Sequence, residues 1–375
     1  MQILKTLDWK LIAAMVPLLG AGLITMYSFT EVSYFFSRQV FWIISAFLLL
    51  FIFSLIDWRF LRRGGVLLSF YLVLILILLF LVFGGSVVRG AQSWIQIGAF
   101  TFQPADFMKL VLILVLAKYF SRRHVAIANT KHVIISGIYA GLPAFLILLQ
   151  PDFGSAVIIS LIWLGMVMVS GVSKKHLAMV LLVGILAVSF LWLFGFTDVQ
   201  KARITTFIDP LADIQGAGYN AYQSTIAVGS GGSLGKGIGY GTQSRLQFLP
   251  EFETDFIFAA FAEEWGFVGV LILFSLFGVV FWRILNNAYH GDTNFEILFG
   301  LGLAIMFMSH FFIHIGMNIG LLPVTGLTIP FLSYGGSHII VELSGIGILM
   351  GMRRYARVTH KEKIEGEELI GYANI

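Results

Sequence analysis

Ten apolar runs, each close to the length that crosses a bilayer as a helix, divide this chain. They fall at about 10–28, 39–56, 65–83, 105–120, 132–149, 154–171, 176–195, 256–283, 296–318 and 337–352. A hydrocarbon core of about 30 Å is spanned by roughly 20 apolar residues in a helix. Inside it, every backbone N–H and C=O needs an internal partner, which an α-helix supplies. Composition agrees: 58% of residues are hydrophobic and 12% charged, against about 25% charged in soluble domains. The expected fold is all-α, a polytopic membrane protein of about ten transmembrane helices forming one integral membrane domain over residues 1–375. No small-residue cleavage site follows the first run, which reads as a retained helix. The chain has no Cys, which excludes disulfide and thiol chemistry. Its formal charge of +4 leaves no footprint for nucleic acid.

An even number of spans puts both termini on one side, and basic residues choose which. Seventeen Lys and Arg fall in one set of connections, Lys5, Arg63 and Arg123 among them. Six fall in the other: Arg38, Arg89, Lys201, Arg203, Lys236 and Arg245. Both termini are therefore expected in the cytoplasm, with the C-terminal "RRYARVTHKEK" as a basic anchor. The connections that then lie outside include 84–104, 319–336 and a long loop, 196–255. Loops beyond about 15 residues carry function or disorder. This one mixes Phe, Ile, Leu and Tyr with Gly, so it is expected to fold against the membrane surface. In the first of them, Trp94 suits the membrane interface. The cytoplasmic side offers only short basic turns, so chemistry is expected outside.

Ionisable groups inside spans are functional-site hypotheses by default. Lys109 lies one turn into the fourth span, and Asp106 sits three residues before it, on the same helix face. The pair reads either as a neutral packing contact or as part of a substrate site. Asp152, in "LLQPDFGSA", reads as a helix N-cap or as a cavity residue. "QPADF" and "QPDF" both set Pro and Asp at the outer start of a span, where a helix N-terminus favours anions. His310, His314, His338 and Glu342 fall in the last two spans. His310 and His314 are at i, i+4, with no third ligand apparent for zinc. The glycine-rich "AVGSGGSLGKGIGYG" fails as a phosphate loop, because Gly235-Lys236 is followed by Gly237 and the position five before Gly235 is Ser230. Its glycines suit tight turns, while Lys236 and Arg245 can meet a phosphate as side-chain charges.

"LPEFETDFIFAAFAEEWG" (249–266) crowds carboxylates at the mouth of the eighth span. Pro250 favours a break, and the apolar run starts at Phe256. Glu251, Glu253 and Asp255 therefore sit at a helix N-terminus, whose partial positive charge suits them. Asp255 runs straight into Phe256, Ile257 and Phe258, so it is expected to face the membrane boundary or a cavity. Glu263 and Glu264 lie roughly 12–13 Å further along and cannot both share its face. At least one is expected to pair with another helix, with Lys109 as candidate partner. Two classes fit these charges: a transporter, and an enzyme acting on a lipid-linked substrate. No inverted repeat is visible and the polar residues gather at the outer ends, which favours the enzyme.

Four blocks carry a resemblance: residues 217–269, "GAQSWIQIGAFTFQPADFMKL", "LQPDFGSA" and "GLLPVTGLTIPFLSYGGS" (320–337). Together they closely resemble the SEDS family (shape, elongation, division, sporulation), and "TQSRLQFLPE" is similar to its RodA branch. The resemblance implies a peptidoglycan glycosyltransferase that polymerises lipid II at the outer face of the bacterial cytoplasmic membrane during elongation, with inversion at the donor anomeric carbon. The family's essential Asp falls on Asp255, which would act as general base or hold a divalent cation, Mn²⁺ or Mg²⁺. No organic cofactor is expected. The diphosphate leaving group calls for positive charge, from Lys109 and Arg203 first, then Arg245 and Lys236. Asp106, Asp152, Glu251, Ser333 and Ser337 are the further cavity candidates, and Glu263 and Glu264 are read as structural charge pairs. The implied partners are a class B penicillin-binding protein transpeptidase and other elongation-complex proteins.

The chain departs from the family pattern at Ser93, where Arg is usual and Arg89 is a candidate substitute, and at Asp106, where Glu is usual. His314 stands where Asn is common, and His338 is unusual after "GGS". A lipid II flippase and a non-catalytic scaffold remain as alternative functions. Topology is testable without background because the chain has no Cys. Leu246→Cys is expected to react with a membrane-impermeant maleimide on intact cells, and Lys175→Cys only after permeabilisation. The opposite pattern would invert the orientation.

Overall fold

A helix covers each of the ten apolar runs in the computed structural model, which describes residues 7–28, 34–62, 65–88, 91–98, 100–122, 130–209, 216 and 218–373. Lys5, Arg63, Arg89 and Arg123 lie outside the described residues, as do the side chains of 356–373. The helices are α1 (Trp9–Ser28), α2 (Tyr34–Leu55), α3 (Val66–Gly84), α4 (Pro104–Ser121), α5 (Thr130–Leu149), α6 (Phe153–Val169) and α7 (Lys174–Phe190). Three short helices follow, α8 (Asp198–Ile208), α9 (Tyr219–Ser230) and α10 (Thr242–Arg245), then α11 (Ile257–Tyr289), α12 (Asn294–Asn318) and α13 (Gly336–Ala373). Among the described residues, seven helices are long and apolar enough to cross a membrane alone: α1, α2, α3, α5, α7 (continued to Gly195), α11 and α12. The other three spans miss that measure for local reasons. α6 has 17 residues, α4 carries Asp106, Lys109 and Lys118, and α13 runs from an apolar first half into a charged one. The protein is an all-α polytopic membrane protein.

Local chemistry sets the helix starts. Pro104 occupies the first turn of α4, where its missing N–H costs nothing. Asp152 caps α6, its carboxylate accepting from Ser155 N at 3.0 Å. α8 opens with a capping box, in which Gln200 N donates to Thr197 Oγ1 and Thr197 N donates to Gln200 Oε1. The connection 84–104 is the exception to helix. It forms three antiparallel strands, β1 (Ser86–Val88), β2 (Ala91–Ile97) and β3 (Phe100–Phe102), with Ile95 opposite Phe102. β2 is tied to the α5–α6 corner by Gln92 N donating to Gln150 O at 3.1 Å.

α4 is the centre of the bundle, packed by α3, α5, α6, α12 and α13. Most of its side chains are buried, Asp106 and Lys109 included. Its charges thus face protein and not lipid, the arrangement that makes intramembrane charge tolerable. α2 and α13 form the most extensive helix pair, where Gly347 lets the α2 backbone approach at Leu50. α7 buries no residue. At the face opposite the long loop, Asp8 joins α1 to α11 and α13 through Arg283 at 2.6 Å and Arg353 at 3.4 Å. Burial pushes the Asp8 carboxyl up, but hydrogen bonds from Arg283, Asn287 and Leu11 N outweigh it and hold the group below its ordinary value.

The long loop folds onto the eighth span through backbone pairing. α11 breaks at Gly266, whose φ of 66° no ordinary side chain adopts comfortably. The glycine-rich segment lies beside the break. Lys236 N donates to Glu263 O at 2.9 Å and Gly237 N to Glu264 O at 3.0 Å. In return Phe267 N donates to Gly232 O at 2.9 Å and Val268 N to Ser233 O at 3.1 Å. The backbones at Gly235 and Gly266 approach so closely that a methyl on either would overlap the other strand. Gly266→Ala is expected to cost about 1–3 kcal/mol in backbone strain, with steric overlap added. It should lower the unfolding temperature in detergent well below that of Gly278→Ala, a glycine of the same helix with open space around it.

Candidate functional site

A cavity of about 590 Å³ opens on the face that carries the long loop. Its walls come from the β2–β3 sheet, the starts of α4, α6, α8 and α13, the middle of α12, and the extended strap 319–335. Asp255, Lys109, Asp106, Asp152, Arg203 and Ser337 all line it. Residues distant in sequence are brought together because their helices start, or break, on the same side of the bundle.

Lys109 Nζ donates to Asp106 Oδ1 at 3.0 Å, with both side chains at most 5% exposed. Ser337 Oγ donates to Asp106 Oδ2 at 3.0 Å. His338 Nδ1 stands 3.7 Å from Asp106 Oδ1, and its Nε2 stands 2.8 Å from Glu342 Oε1. Lys109 Nζ is also 3.5 Å from His310 Nε2. Packing and cavity readings of Lys109 are therefore not exclusive: the pair is buried on one side and lines the cavity on the other. Asp152 is shared too. Besides capping α6, it accepts from Gln103 Nε2 at 2.8 Å, so the residue that opens "QPADF" holds the Asp of "QPDF".

Asp255 precedes the first residue of α11, with Phe256 as N-cap. The chain around it is fixed through main-chain groups. Ser333 Oγ donates to Thr254 O at 2.8 Å and accepts from Ile329 N at 3.0 Å. Tyr334 N donates to Glu253 O at 2.8 Å. Ser333 is thus a strut for this turn and does not line the cavity. Glu251 lies outside the lining as well, with a φ of 51° and a carbonyl that receives the N–H groups of Thr254, Asp255 and Phe256.

Two expectations are corrected by this geometry. Neither Glu263 nor Glu264 pairs with Lys109, although Glu264 does meet another span through the side chain of Ser28 in α1. Glu263 takes Lys236 Nζ at 2.7 Å, Thr242 Oγ1 at 3.1 Å and Gln243 N at 3.0 Å, while Glu264 accepts from Gly239 N. Both are pegs for the glycine-rich segment, because the break at Gly266 leaves that segment as their neighbour. Lys236 is consumed there and does not reach the cavity, and neither does Arg245, whose Nη1 is 3.5 Å from Gly239 O. Trp94 of β2 lines the cavity. Sequence reading also missed Arg38, Gln103, Gln200 and Tyr334, which line the cavity. The signal for Gln103 was present in the paired "QP" motifs; Arg38 and Tyr334 carried none.

A larger cavity, about 940 Å³, lies at the other end of the bundle. It is lined by Arg59, Arg62, Lys118 and Arg122 among others, and three of these charges are engaged locally. Lys118 Nζ donates to Leu61 O, Arg122 to Arg62 O and Arg59 to Asp57. Asp57 and Asp292, each just ahead of a helix, also line it, and Asp57 is paired with Arg59 at 2.7 Å. The cavity opens among the basic connections and not beside the long loop, so size alone does not make it the site.

The Asp106–Lys109 pair is testable as a unit. Lys109→Met leaves a buried carboxylate without its cation and is expected to destabilise by about 3–5 kcal/mol. Adding Asp106→Asn should recover most of that loss, read from unfolding temperatures of the four-member cycle in detergent.

The profile of the cell cycle protein family FTSW_RODA_SPOVE matches residues 3–358. The chain is 37% identical over 291 residues to peptidoglycan glycosyltransferase MrdB of Escherichia coli (strain K12), which covers 78% of each protein. It is 35% identical over 363 residues to stage V sporulation protein E of Bacillus subtilis (strain 168), covering 93% of this chain and 98% of that one. Among solved structures it is similar to the rod shape determining protein RodA of Thermus thermophilus, with a TM-score of 0.70 and 28% identity, over 92% of this chain and 96% of that one. A second similar chain comes from a study of the structural coordination of polymerization and crosslinking by a peptidoglycan synthase complex. There the TM-score is 0.80 and the identity 28%, over 93% and 98% of the two chains. With a profile spanning nearly its whole length and relatives at this identity, the chain belongs to the FtsW/RodA/SpoVE family of cell cycle proteins.

Proposed function

We propose that this protein is a peptidoglycan glycosyltransferase that polymerises lipid II during cell elongation, with Asp255 as the reacting carboxylate. One observation carries the assignment: a carboxylate set just ahead of a helix shares a cavity with two cations on other elements, Lys109 and Arg203. Glycosyl transfer from a diphosphate donor needs both. The acceptor's 4-hydroxyl gives up its proton as its oxygen bonds the donor C1, and a carboxylate takes that proton. The C1–O bond to phosphate breaks, and the diphosphate leaves with added negative charge, which fixed cations stabilise. Attack opposite the leaving group inverts the anomeric centre.

The donor set limits how a metal is held. Among the described residues no group of three or more His, Cys, Asp or Glu forms a metal cluster. Asp255 is the cavity carboxylate this reading assigns to a cation shared with the substrate diphosphate, the usual mode for Mg²⁺, while Asp106 and Asp152 hold neighbouring groups of the protein. Mn²⁺ or Mg²⁺ in that position would neutralise the leaving group. The excess of Lys and Arg on the opposite face supports an extracytoplasmic position for the cavity, in the cytoplasmic membrane. The similarity to a chain from a peptidoglycan synthase complex supports a class B penicillin-binding protein as partner.

Purified protein, with and without a transpeptidase partner, is to be mixed with fluorescent lipid II and Mn²⁺ or Mg²⁺ and the glycan resolved by length. Asp255→Ala and Asp255→Asn are each expected to slow polymerisation by about 100-fold or more, the range for loss of a general base. Wild-type rates in folded Asp255→Ala would remove Asp255 from the chemistry. No glycan under any condition, with lipid II translocated in proteoliposomes, would favour a flippase.

A further inference from the structure

His310, His314 and Asn318 follow one another at four-residue spacing, so they share one face of α12, and all three are buried. That face meets two segments of the cavity wall. His310 Nδ1 lies 3.1 Å from Thr328 O, and His314 Nδ1 lies 2.7 Å from Leu327 O. A carbonyl only accepts, so each Nδ1 carries the hydrogen. The two imidazoles thereby hold the strap at 327–328. The next residue of the strap, Gly326, lies against Asp255: a methyl there would stand 3.5 Å from Asp255 Oδ2.

Asn318 acts on Asp255 more directly. Its Nδ2 donates to Asp255 O at 3.0 Å, and its Oδ1 accepts from Ala259 N at 3.2 Å. In an uninterrupted α-helix, Ala259 N–H would donate to the carbonyl four residues earlier, that of Asp255. The Asn318 carboxamide occupies that place, giving to one group and taking from the other as an inserted peptide unit would. The amide is itself anchored, since Nδ2 also donates to His314 O at 2.8 Å and Ser224 Oγ of α9, which donates to the Asn318 main-chain carbonyl at 2.9 Å, lies 3.4 Å from Oδ1. The regular ladder begins one residue later, with Ala260 N donating to Phe256 O at 3.1 Å. Asp255 is left outside the helix.

We propose that Asn318 is a positioning residue for Asp255: its carboxamide opens the first turn of α11 and sets the direction from which the carboxylate meets the cavity, while His310 and His314 hold the strap against it. The inference rests on the reading of Asp255 as the reacting carboxylate. Asn318 touches main chain and not substrate, so its loss acts on kcat.

The full chain with its transpeptidase partner is to be titrated with lipid II, comparing wild type, Asp255→Ala, Asn318→Leu, Asn318→Asp and Ser275→Ala. Asn318→Leu lets Ala259 N close onto Asp255 O. Asn318→Asp keeps the shape but presents no donor to that carbonyl, and it carries the test if the Leu variant does not fold. Both are expected to lower kcat by about 100-fold, as small misplacements of a reacting group do, with KM unchanged. Ser275→Ala removes an exposed hydroxyl further along α11 that donates to Leu271 O and should keep wild-type kcat. Wild-type kcat in folded Asn318→Leu or Asn318→Asp, with Asp255→Ala inactive, overturns the proposal. So does a loss matched in Ser275→Ala, or one in which kcat falls only as far as unfolding temperature does. An active Asp255→Ala overturns the parent reading instead.

Discussion

A helix cannot be broken inside a bilayer unless other groups take up the hydrogen bonds that the break releases. α11 breaks at Gly266, and the backbone of 232–237 takes them up. Much else follows from that exchange. The segment that inserts must approach a helix backbone at main-chain distance, which is why Gly235 and Gly266 face each other. It must also be held, and Glu263 and Glu264, on the turn just before the break, supply buried acceptors for its N–H groups and for Lys236. The first nine residues of α11 are thereby secured as a separate short helix, and its N-terminal end presents Asp255.

The carboxylates on this side of the bundle are consequently divided by task. Glu263 and Glu264 serve the loop. Asp106 balances Lys109, and Asp152 caps α6 while receiving Gln103. Asp255 is managed differently, because the turn that carries it is gripped through its carbonyls: that of Glu253 by Tyr334, that of Thr254 by Ser333 and that of Asp255 by Asn318. Fixing a reacting side chain through its main chain lets the backbone define the direction of the carboxylate.

What the sequence disclosed follows from the range of the interactions involved. Ten spans were legible because lipid demands long apolar helices, and the Asp106–Lys109 pair because i, i+3 spacing is local. The cap at Asp152 was legible for the same reason. The partners of Glu263 and Glu264 were not, because a helical continuation through Gly266 was the default and only the break brings 232–243 beside them. The cavity roles of Arg38 and Tyr334 depend on α2 and the strap meeting across nearly three hundred residues, as in the bond from Gln39 Nε2 to Ser333 O. No spacing rule encodes such a meeting. The small sheet of 84–102 was hidden by its brevity, although the glycine turn at 98 and the alternation in "SWIQI" are the right type of signal.

Two departures from the family pattern, Asp106 and His338, meet in one network. With Asp at 106, the carboxylate sits one methylene nearer its own helix than a Glu would place it. Ser337 and His338, from the first turn of α13, reach in to it at 3.0 and 3.7 Å. His338 is in turn held by Glu342, one turn further along the same helix. The second oxygen of Glu342 accepts from Phe331 N, at a residue whose φ of 63° is costly for an aromatic side chain. That bond offsets the strain and fixes the strap just before Ser333, the residue that grips Thr254 beside Asp255. A one-methylene change at Asp106 is therefore coupled, through His338, Glu342 and the strap, to the turn that aims the proposed reacting carboxylate. Restoring Glu at 106 in this chain would crowd His338 rather than simply recover the family's arrangement.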